Sequence, residues 1–220
     1  MAEDNPHSPA TIRPGALFII SAPSGAGKTT LVQALRQRLA GLIVSVSHTT
    51  RPRRPGEQDG VAYYFVDDAE FMRMIAADTL LEHAVVFDHH YGTSRAFVER
   101  HIESGNDILL EIDWQGARQI KQHRPDAVSL YILPPSYLIL EERLRARGDS
   151  PANIQRRMRG AYVELSHYDE YDYLVINENL DSALAEIEAI ITAARNNYCL
   201  HRPYYDGLIK QLLEAASIIQ

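Results

Sequence analysis

Apolar positions along this chain switch between two rhythms. Ala16 to Ser21 is an unbroken apolar run that stops at a Gly/Pro/Ser cluster, the pattern of a buried strand. From Thr29 to Ala40 the apolar residues recur as Leu31, Leu35 and Leu39, which is helical spacing, and Leu42 to Ser47 reads as the next strand. Strand, glycine-rich loop, helix and strand make a βαβ unit, which implies a parallel sheet. Residues 48–65 break the rhythm with Arg, Pro and Gly and end in Tyr63, Tyr64 and Phe65. Helical spacing resumes over Phe71–Ala77 and Ala96–Ser104, and a Gly105-Asn106-Asp107 turn leads into a buried strand over Ile108–Ile112. Val128–Leu133 reads as a strand stopped by Pro134-Pro135, Tyr137–Ala146 as a helix, and Gly148 to Pro151 as a turn. Ala152–Ser166 is helical and arginine-rich, Leu174–Asn177 is a short strand, and Asp181–Tyr198 a long helix. Residues 207–220 read as helical and fairly apolar.

The expected architecture is a three-layer α/β core with a parallel sheet and two insertions carrying the unusual chemistry. Residues 1–14 are expected to be a flexible tail, 15–47 and 99–142 core, and 171–220 core with C-terminal helices. The insertions span 48–98 and 143–170.

Composition narrows the classes. At 220 residues the chain can bury a core without staples. No apolar run approaches the roughly 18 residues that span a bilayer, and the polar start is not a secretion signal, so no membrane partner and a cytoplasmic location are expected. With Cys199 alone, an internal disulfide is excluded; it is expected as a small buried hydrophobe in a C-terminal helix. The net charge of -7 argues against a nucleic-acid binder. Yet arginines cluster at 51–54 and 143–159, whereas lysine occurs only at 28, 121 and 210. Guanidinium forks in an acidic protein suit small phosphorylated ligands.

Residues 22–29 read Ala-Pro-Ser-Gly-Ala-Gly-Lys-Thr, matching the phosphate-loop pattern G-x-x-x-x-G-K-[ST] except for Ala22 in place of the first glycine. Gly25 and Gly27 let backbone amides turn around phosphate oxygens. Lys28 reaches the outer phosphates, Thr29 offers a hydroxyl to magnesium, and the helix that follows points its positive end at the anion. Ala22, Pro23, Ser24, Gly25, Ala26, Gly27, Lys28, Thr29 and Thr30 are therefore the expected cradle of a nucleoside triphosphate, which the resemblance described next implies is ATP. Each lysine is preceded by Gly or Ile, so no Asn-Lys-x-Asp guanine motif exists and a GTPase is excluded. Ser166 to Asp169 carries hydrolase residue types too close in sequence to converge as a triad, and the histidines have no metal-ligand spacing.

Ser47 to Phe65 reads SHTTRPRRPGEQDGVAYYF. Ser47, Thr49, Thr50, Arg51, Arg54, Gly56, Glu57, Gly60, Tyr63 and Phe65 all fit the signature of the guanylate kinases, which this chain resembles over roughly residues 15 to 200. The blocks Leu81–Ala84, Tyr91–Ser94 and Ile112–Gly116 add to the likeness, which is strongest to the bacterial members. The resemblance implies a P-loop nucleoside-monophosphate kinase with ATP and GMP or dGMP as substrates and Mg²⁺ as cofactor. It implies that Arg51, Arg54, Tyr63 and Tyr91 hold the GMP phosphate in a site that includes Glu57. Ser47, Glu82 and Asp113 would read guanine, assisted by Thr93. Arg143, Arg147 and Arg157 would be the phosphate-clamping arginines of a lid over 143–170, joining Lys28 and Arg54 in catalysis, and Asn177 would touch adenine.

Chemistry supports this division. A carboxylate accepts guanine N1–H and N2–H together, and a hydroxyl serves O6, whereas adenine reverses that edge. Glu111 ends an apolar strand where relatives carry Asp, and is expected near magnesium through water. Plainer readings are a surface helix-end carboxylate for Glu82, a strand's aromatic core for Tyr64, packing for Trp114 and a solvated helix face for Arg145 and Arg159. Two other functions stay open, a non-catalytic interaction module of the same fold and a kinase of another nucleotide or a sugar phosphate. A homo-oligomer is left open.

Overall fold

The computed structural model describes residues 12–148 and 150–217. Its elements, in chain order, are β1 (Leu17–Ser21), α1 (Lys28–Arg38), β2 (Leu42–Val44), β3 (His48–Thr49), β4 (Tyr64–Phe65), α2 (Asp68–Ala76), β5 (Leu80–Val86), β6 (His89–Ser94), α3 (Arg95–Glu103) and β7 (Asp107–Glu111). They continue with α4 (Trp114–His123), β8 (Val128–Leu133), α5 (Tyr137–Ala146), α6 (Pro151–Leu165), a 3₁₀ turn at Tyr168–Glu170, β9 (Tyr173–Ile176), α7 (Leu180–Arg195) and α8 (Arg202–Ser217).

The core sheet has the order β2-β7-β1-β8-β9 and every pairing in it is parallel. Parallel strands covered on both faces need apolar residues at every position rather than alternation. In β1, Phe18 and Ile20 join one core cluster with Leu31 and Leu35 of α1, Leu140 of α5 and Leu184 and Ile187 of α7. Leu17 and Ile19 face the other cluster, with Val98 and Ile102 of α3 and Ala117 and Ile120 of α4. This gives the three expected layers. The chain leaves β1 toward β2 and β7 on one side and reaches β8 on the other, so a crevice opens at the carboxyl ends of the strands beside β1, where open α/β sheets bind ligands.

The first insertion contains a sheet of its own, of order β4-β3-β6-β5. Its β5–β6 hairpin was not visible in the apolar pattern. The two turn residues, Phe87 and Asp88, both have left-handed backbones, with φ 48° and 69°. Such two-residue turns normally advertise themselves as Asn-Gly or Asp-Gly. Helix α4 was missed for another reason: its buried stripe is Gly116, Ala117 and Ile120, mostly too small to register as apolar periodicity.

Other expectations shift. Cys199 is exposed and lies in the turn between α7 and α8, not buried in a helix, because its amide is taken by the Asn197 side chain in that turn. Tyr64 is 39% exposed and stacks on His48 rather than filling a core. Most of the expected tail lies outside the described residues, and at its inner end Arg13 contacts the Arg195 carbonyl and the His201 ring. Residues 218–220 of the expected last helix also lie outside them. Among the described residues, no helix is long and apolar enough to cross a membrane.

Candidate active site

The loop after β1 has the form its residues require. Gly25 and Gly27 have φ of 100° and 96°, a region closed to most side chains, and Gly27 leads directly into α1. Ala22 is not among the residues with a left-handed backbone, so the glycine usual at that position is unnecessary here. The loop is braced from behind. The Asn177 side-chain amide donates to the Ala26 carbonyl at 2.7 Å, and a Cβ on Gly27 would stand 2.4 Å from that nitrogen. Arg143 of α5 donates to the same carbonyl at 3.2 Å and to the Asn177 carbonyl at 3.0 Å. Thr29, on the first turn of α1, donates to Glu111 at the end of β7 over 3.0 Å.

Helix α6 comes over the loop. Arg157 donates to the Ser24 hydroxyl at 2.8 Å. Two turns further along the same helix face, Glu164 accepts from the Ser24 backbone amide and lies in the field of Lys28; burial pushes its carboxyl up to about 7 against that field. The neighbouring Arg156 turns the other way, pairing with Asp88 at 2.5 Å and covering the Phe87 ring at 5.4 Å. A Cβ on Gly160 would meet the same ring at 3.5 Å. One helix thus bridges the phosphate loop and the tip of the β5–β6 hairpin.

Across the crevice, the second sheet presents a cation in an aromatic frame. Arg51 is 9% exposed, lies near the rings of Tyr63 (5.3 Å) and Phe65 (5.8 Å), and donates to Glu57 at 2.7 Å. Glu57 also accepts from the Arg54 amide at 2.8 Å, so it fixes the loop and orients Arg51. Its carboxyl is held below the usual range chiefly by the Arg51 hydrogen bond. Tyr91 adjoins Tyr63 edge-on at 5.8 Å and hydrogen-bonds Arg51. Burial, then the charge of Glu111, pushes the Tyr63 hydroxyl up to about 12. Tyr63 thus lies within the electrostatic reach of Glu111 at the end of β7.

Glu82 and Thr93 meet as partners in the hairpin. Glu82 is on β5 and 3% exposed, not at a helix end on the surface; Thr93 is fully buried and donates to it at 2.6 Å. Burial pushes Glu82 up to about 7, opposed by the Thr93 hydrogen bond and helped by the nearby charge of Asp113. Its other oxygen rests on Gly116, where a Cβ would stand 2.4 Å away. Asp113 caps α4 through the Gly116 amide at 3.1 Å and accepts from Gln115 at 2.9 Å. Ser47 adjoins this sheet at the start of β3, its carbonyl accepting from the Tyr64 amide.

The structure does not gather every candidate. Arg54 and Arg147 are exposed, and Thr30 is an exposed residue of α1. Arg145 pairs with Glu141 one turn away, as a solvated helix face does. Trp114 stacks on His167 at 3.7 Å, and His167 bonds Glu170 rather than any nucleophile. Among the described residues, no group of three or more His, Cys, Asp or Glu could hold a metal alone. Sequence reasoning missed Glu164, Gly116 and the Phe87-Asp88 tip. Only Glu164 left a signal, seven residues after Arg157 and so on one helix face with it.

A parallel sheet with a glycine loop between its central strand and a helix defines a P-loop nucleotide-binding protein, here with a carboxylate-lined second site across the crevice. Comparison gives the particular family. The guanylate kinase family profile matches residues 15–194. The chain is 56% identical over 207 residues to the guanylate kinase of Chromohalobacter salexigens, covering 94% of this chain and 96% of that one. It is 52% identical over 202 residues to that of Escherichia coli, covering 90% and 98%. A crystal structure of guanylate kinase from Anaplasma phagocytophilum superposes with a TM-score of 0.71 at 35% identity, over 85% of this chain and 89% of that one. The chain belongs to the guanylate kinase family.

Proposed function

We infer that this chain transfers the γ-phosphoryl group of ATP to GMP, giving ADP and GDP, and that its two half-sites divide the work. The observation that carries the reading is the buried Glu82–Thr93 pair, a carboxylate and a hydroxyl held together in the hairpin of the second sheet. As a carboxylate, Glu82 accepts guanine N1–H and N2–H. Adenine offers an acceptor at N1, so it would leave that buried carboxylate unpaired, which supports discrimination of about 10⁴-fold or more. dGMP presents the same base edge to Glu82 and is proposed as a second substrate.

Arg51, Tyr63 and Tyr91 hold the GMP phosphate, with Glu57 as a positioning residue behind Arg51 and Arg54 reaching in from the adjoining turn. The loop from Ala22 to Thr29 holds the ATP phosphates. Arg143 and Asn177 act by bracing its backbone, Arg157 reaches it through Ser24, and Arg147 closes from the end of α5. The hydroxyl of Thr29 and the carboxylate of Glu111 form an all-oxygen, exposed donor set that fits Mg²⁺ with most of its waters retained. When bound there, Mg²⁺ supplies charge neutralisation at the β- and γ-phosphates.

The GMP phosphate has a second pKa near 6 and is largely dianionic at neutral pH, so it needs no strong general base. One of its oxygens bonds to the γ-phosphorus as the bond to the β–γ bridging oxygen breaks. The residues of this chain align the two groups and oppose their charge. Glu164, whose carboxyl burial pushes up to about 7, sets less negative charge beside the phosphate loop than an ordinary carboxylate would. The helices over 143–170 then act as a lid that keeps water from the γ-phosphoryl.

Equilibrium titration tests the guanine assignment. Glu82→Gln replaces half of the acceptor with a donor and is expected to weaken GMP by about 10²-fold or more while ATP affinity stays within about twofold. Equal losses for both nucleotides would remove Glu82 from base recognition.

A further inference from the structure

Strand β5 forms one edge of the second sheet, and its ladder to β6 is irregular just before Glu82. Leu80 pairs with Ser94 and Glu82 with Thr93, so Leu81 is the extra residue of a bulge. Leu81 and Glu82 are both buried, which strict alternation along a strand would not allow on one face. The bulge also weakens the hold of β6 on the position of Glu82 along the strand. The other edge of β5 supplies that hold. The Gln119 side chain on α4 accepts from the His83 amide at 3.1 Å and donates to the His83 carbonyl at 2.7 Å, as a neighbouring strand would. One turn earlier on α4, Gln115 donates to the Val85 carbonyl at 3.2 Å. The spacings agree, since four helical residues rise about 6 Å and two strand residues about 7 Å. Gln115 also donates to Asp113 at 2.9 Å, and Asp113 caps the same helix at Gly116, on which Glu82 rests.

We propose that Gln119 is a positioning residue for base selection, whose paired hydrogen bonds to His83 fix where Glu82 stands relative to α4 and Asp113. This rests on the reading of Glu82 as the guanine acceptor. Apolar packing cannot do the same alone. Leu81 shares a core cluster with Ala117 and Ile120, which holds β5 close to α4, but such contacts have no direction and tolerate sliding along the strand. Two hydrogen bonds to one residue's backbone do not, since each weakens steeply as its angle departs from linear. Glu82 immediately precedes the gripped residue, so a slip of β5 carries its carboxylate with it. A misplacement of about 1 Å at a binding group is able to cost up to about 10²-fold. In this role Gln119 touches neither nucleotide and acts through β5.

Two substitutions in the full chain test it. Gln119→Met keeps the bulk and removes both hydrogen bonds, and Gln119→Ala removes the side chain without adding any. Calorimetric titration with GMP and with ATP, turnover with GMP and with AMP, and amide exchange followed by NMR are compared with wild type. In both variants the His83 amide is expected to exchange faster. GMP affinity and the GMP-to-AMP turnover ratio should each fall about tenfold, with the change in the KM for GMP and little change in kcat. ATP affinity should stay within about twofold, which also reports that the variants are folded. In a Glu82→Gln background the same substitutions should cost GMP no more than about twofold further, because the group they position is gone. GMP affinity unchanged in a variant whose His83 amide is released, equal losses for both nucleotides, or a fully additive loss alongside Glu82→Gln would each overturn the proposal. A wild type that turns over AMP as readily as GMP would remove the guanine reading itself, and that failure is visible before any variant is made.

Discussion

In the proposed role, Glu82 must be buried to select a base and ionised to bind it, and these demands oppose each other. Burial raises its carboxyl from an ordinary 4.5 to about 7 in the ligand-free protein, and guanine then requires the charged form. Binding therefore releases a proton. GMP affinity should fall as pH drops below about 7, by a slope approaching tenfold per unit, and Glu82→Gln should lose that component. The phosphate's own ionisation persists in both proteins and cancels from the comparison. The same shift has a stability consequence with a definite sign. Between pH 4.5 and about 7 the folded protein keeps a proton that the unfolded chain releases, so this residue's contribution falls as pH rises through that window. Thermal melts of the ligand-free protein should lose stability across it relative to Glu82→Gln. A parallel pair of profiles would contradict the shift. Gly116 makes the neighbouring prediction. Gly116→Ala pushes on the Glu82 carboxylate from 2.4 Å, and a misplacement of this kind should weaken GMP by about 10²-fold with ATP unaffected. Titration calorimetry with each nucleotide distinguishes this from general damage.

At the scale of elements, the β5–β6 turn is the most unusual piece. Phe87 and Asp88 hold left-handed backbones that Asn-Gly would adopt more easily, and both side chains are engaged by α6 through Arg156 and Gly160. The local backbone cost is offset by a contact between the two lips of the crevice. Replacing Phe87-Asp88 with Asn-Gly should raise hydrogen-exchange protection in the hairpin while slowing phosphotransfer about tenfold, since an exposed ion pair and a cation–π contact together contribute roughly 1–2 kcal/mol. Faster exchange, or unchanged turnover, would show that the tip does not support closure.

The whole molecule shows how far sequence reaches. The layers of the core were legible because a parallel sheet covered on both faces writes its strands as continuous apolar runs, as at Leu17–Ser21 and Val128–Leu133. The phosphate loop and the Arg51–Glu57 segment were legible because their chemistry demands fixed spacing. What stayed hidden depends on contacts between distant segments. Asn177 braces Ala26 from 151 positions away, and no local pattern reports that. Glu82 was named through the resemblance alone, and its burial appears only once a hairpin without a glycine turn carries it inside. Glu164 likewise takes its meaning from the loop it folds onto.

In the proposed reaction one wall of this crevice holds ATP and the other selects guanine. The most direct test is ADP production by the full chain with ATP and Mg²⁺, adding GMP, AMP, CMP or UMP separately, alongside Lys28→Met. Rapid turnover is expected with GMP, and turnover lower by orders of magnitude with the other three. Lys28→Met is expected to stay folded and to lose nearly all activity. Comparable rates with AMP and GMP, or wild-type turnover without Lys28, would contradict it.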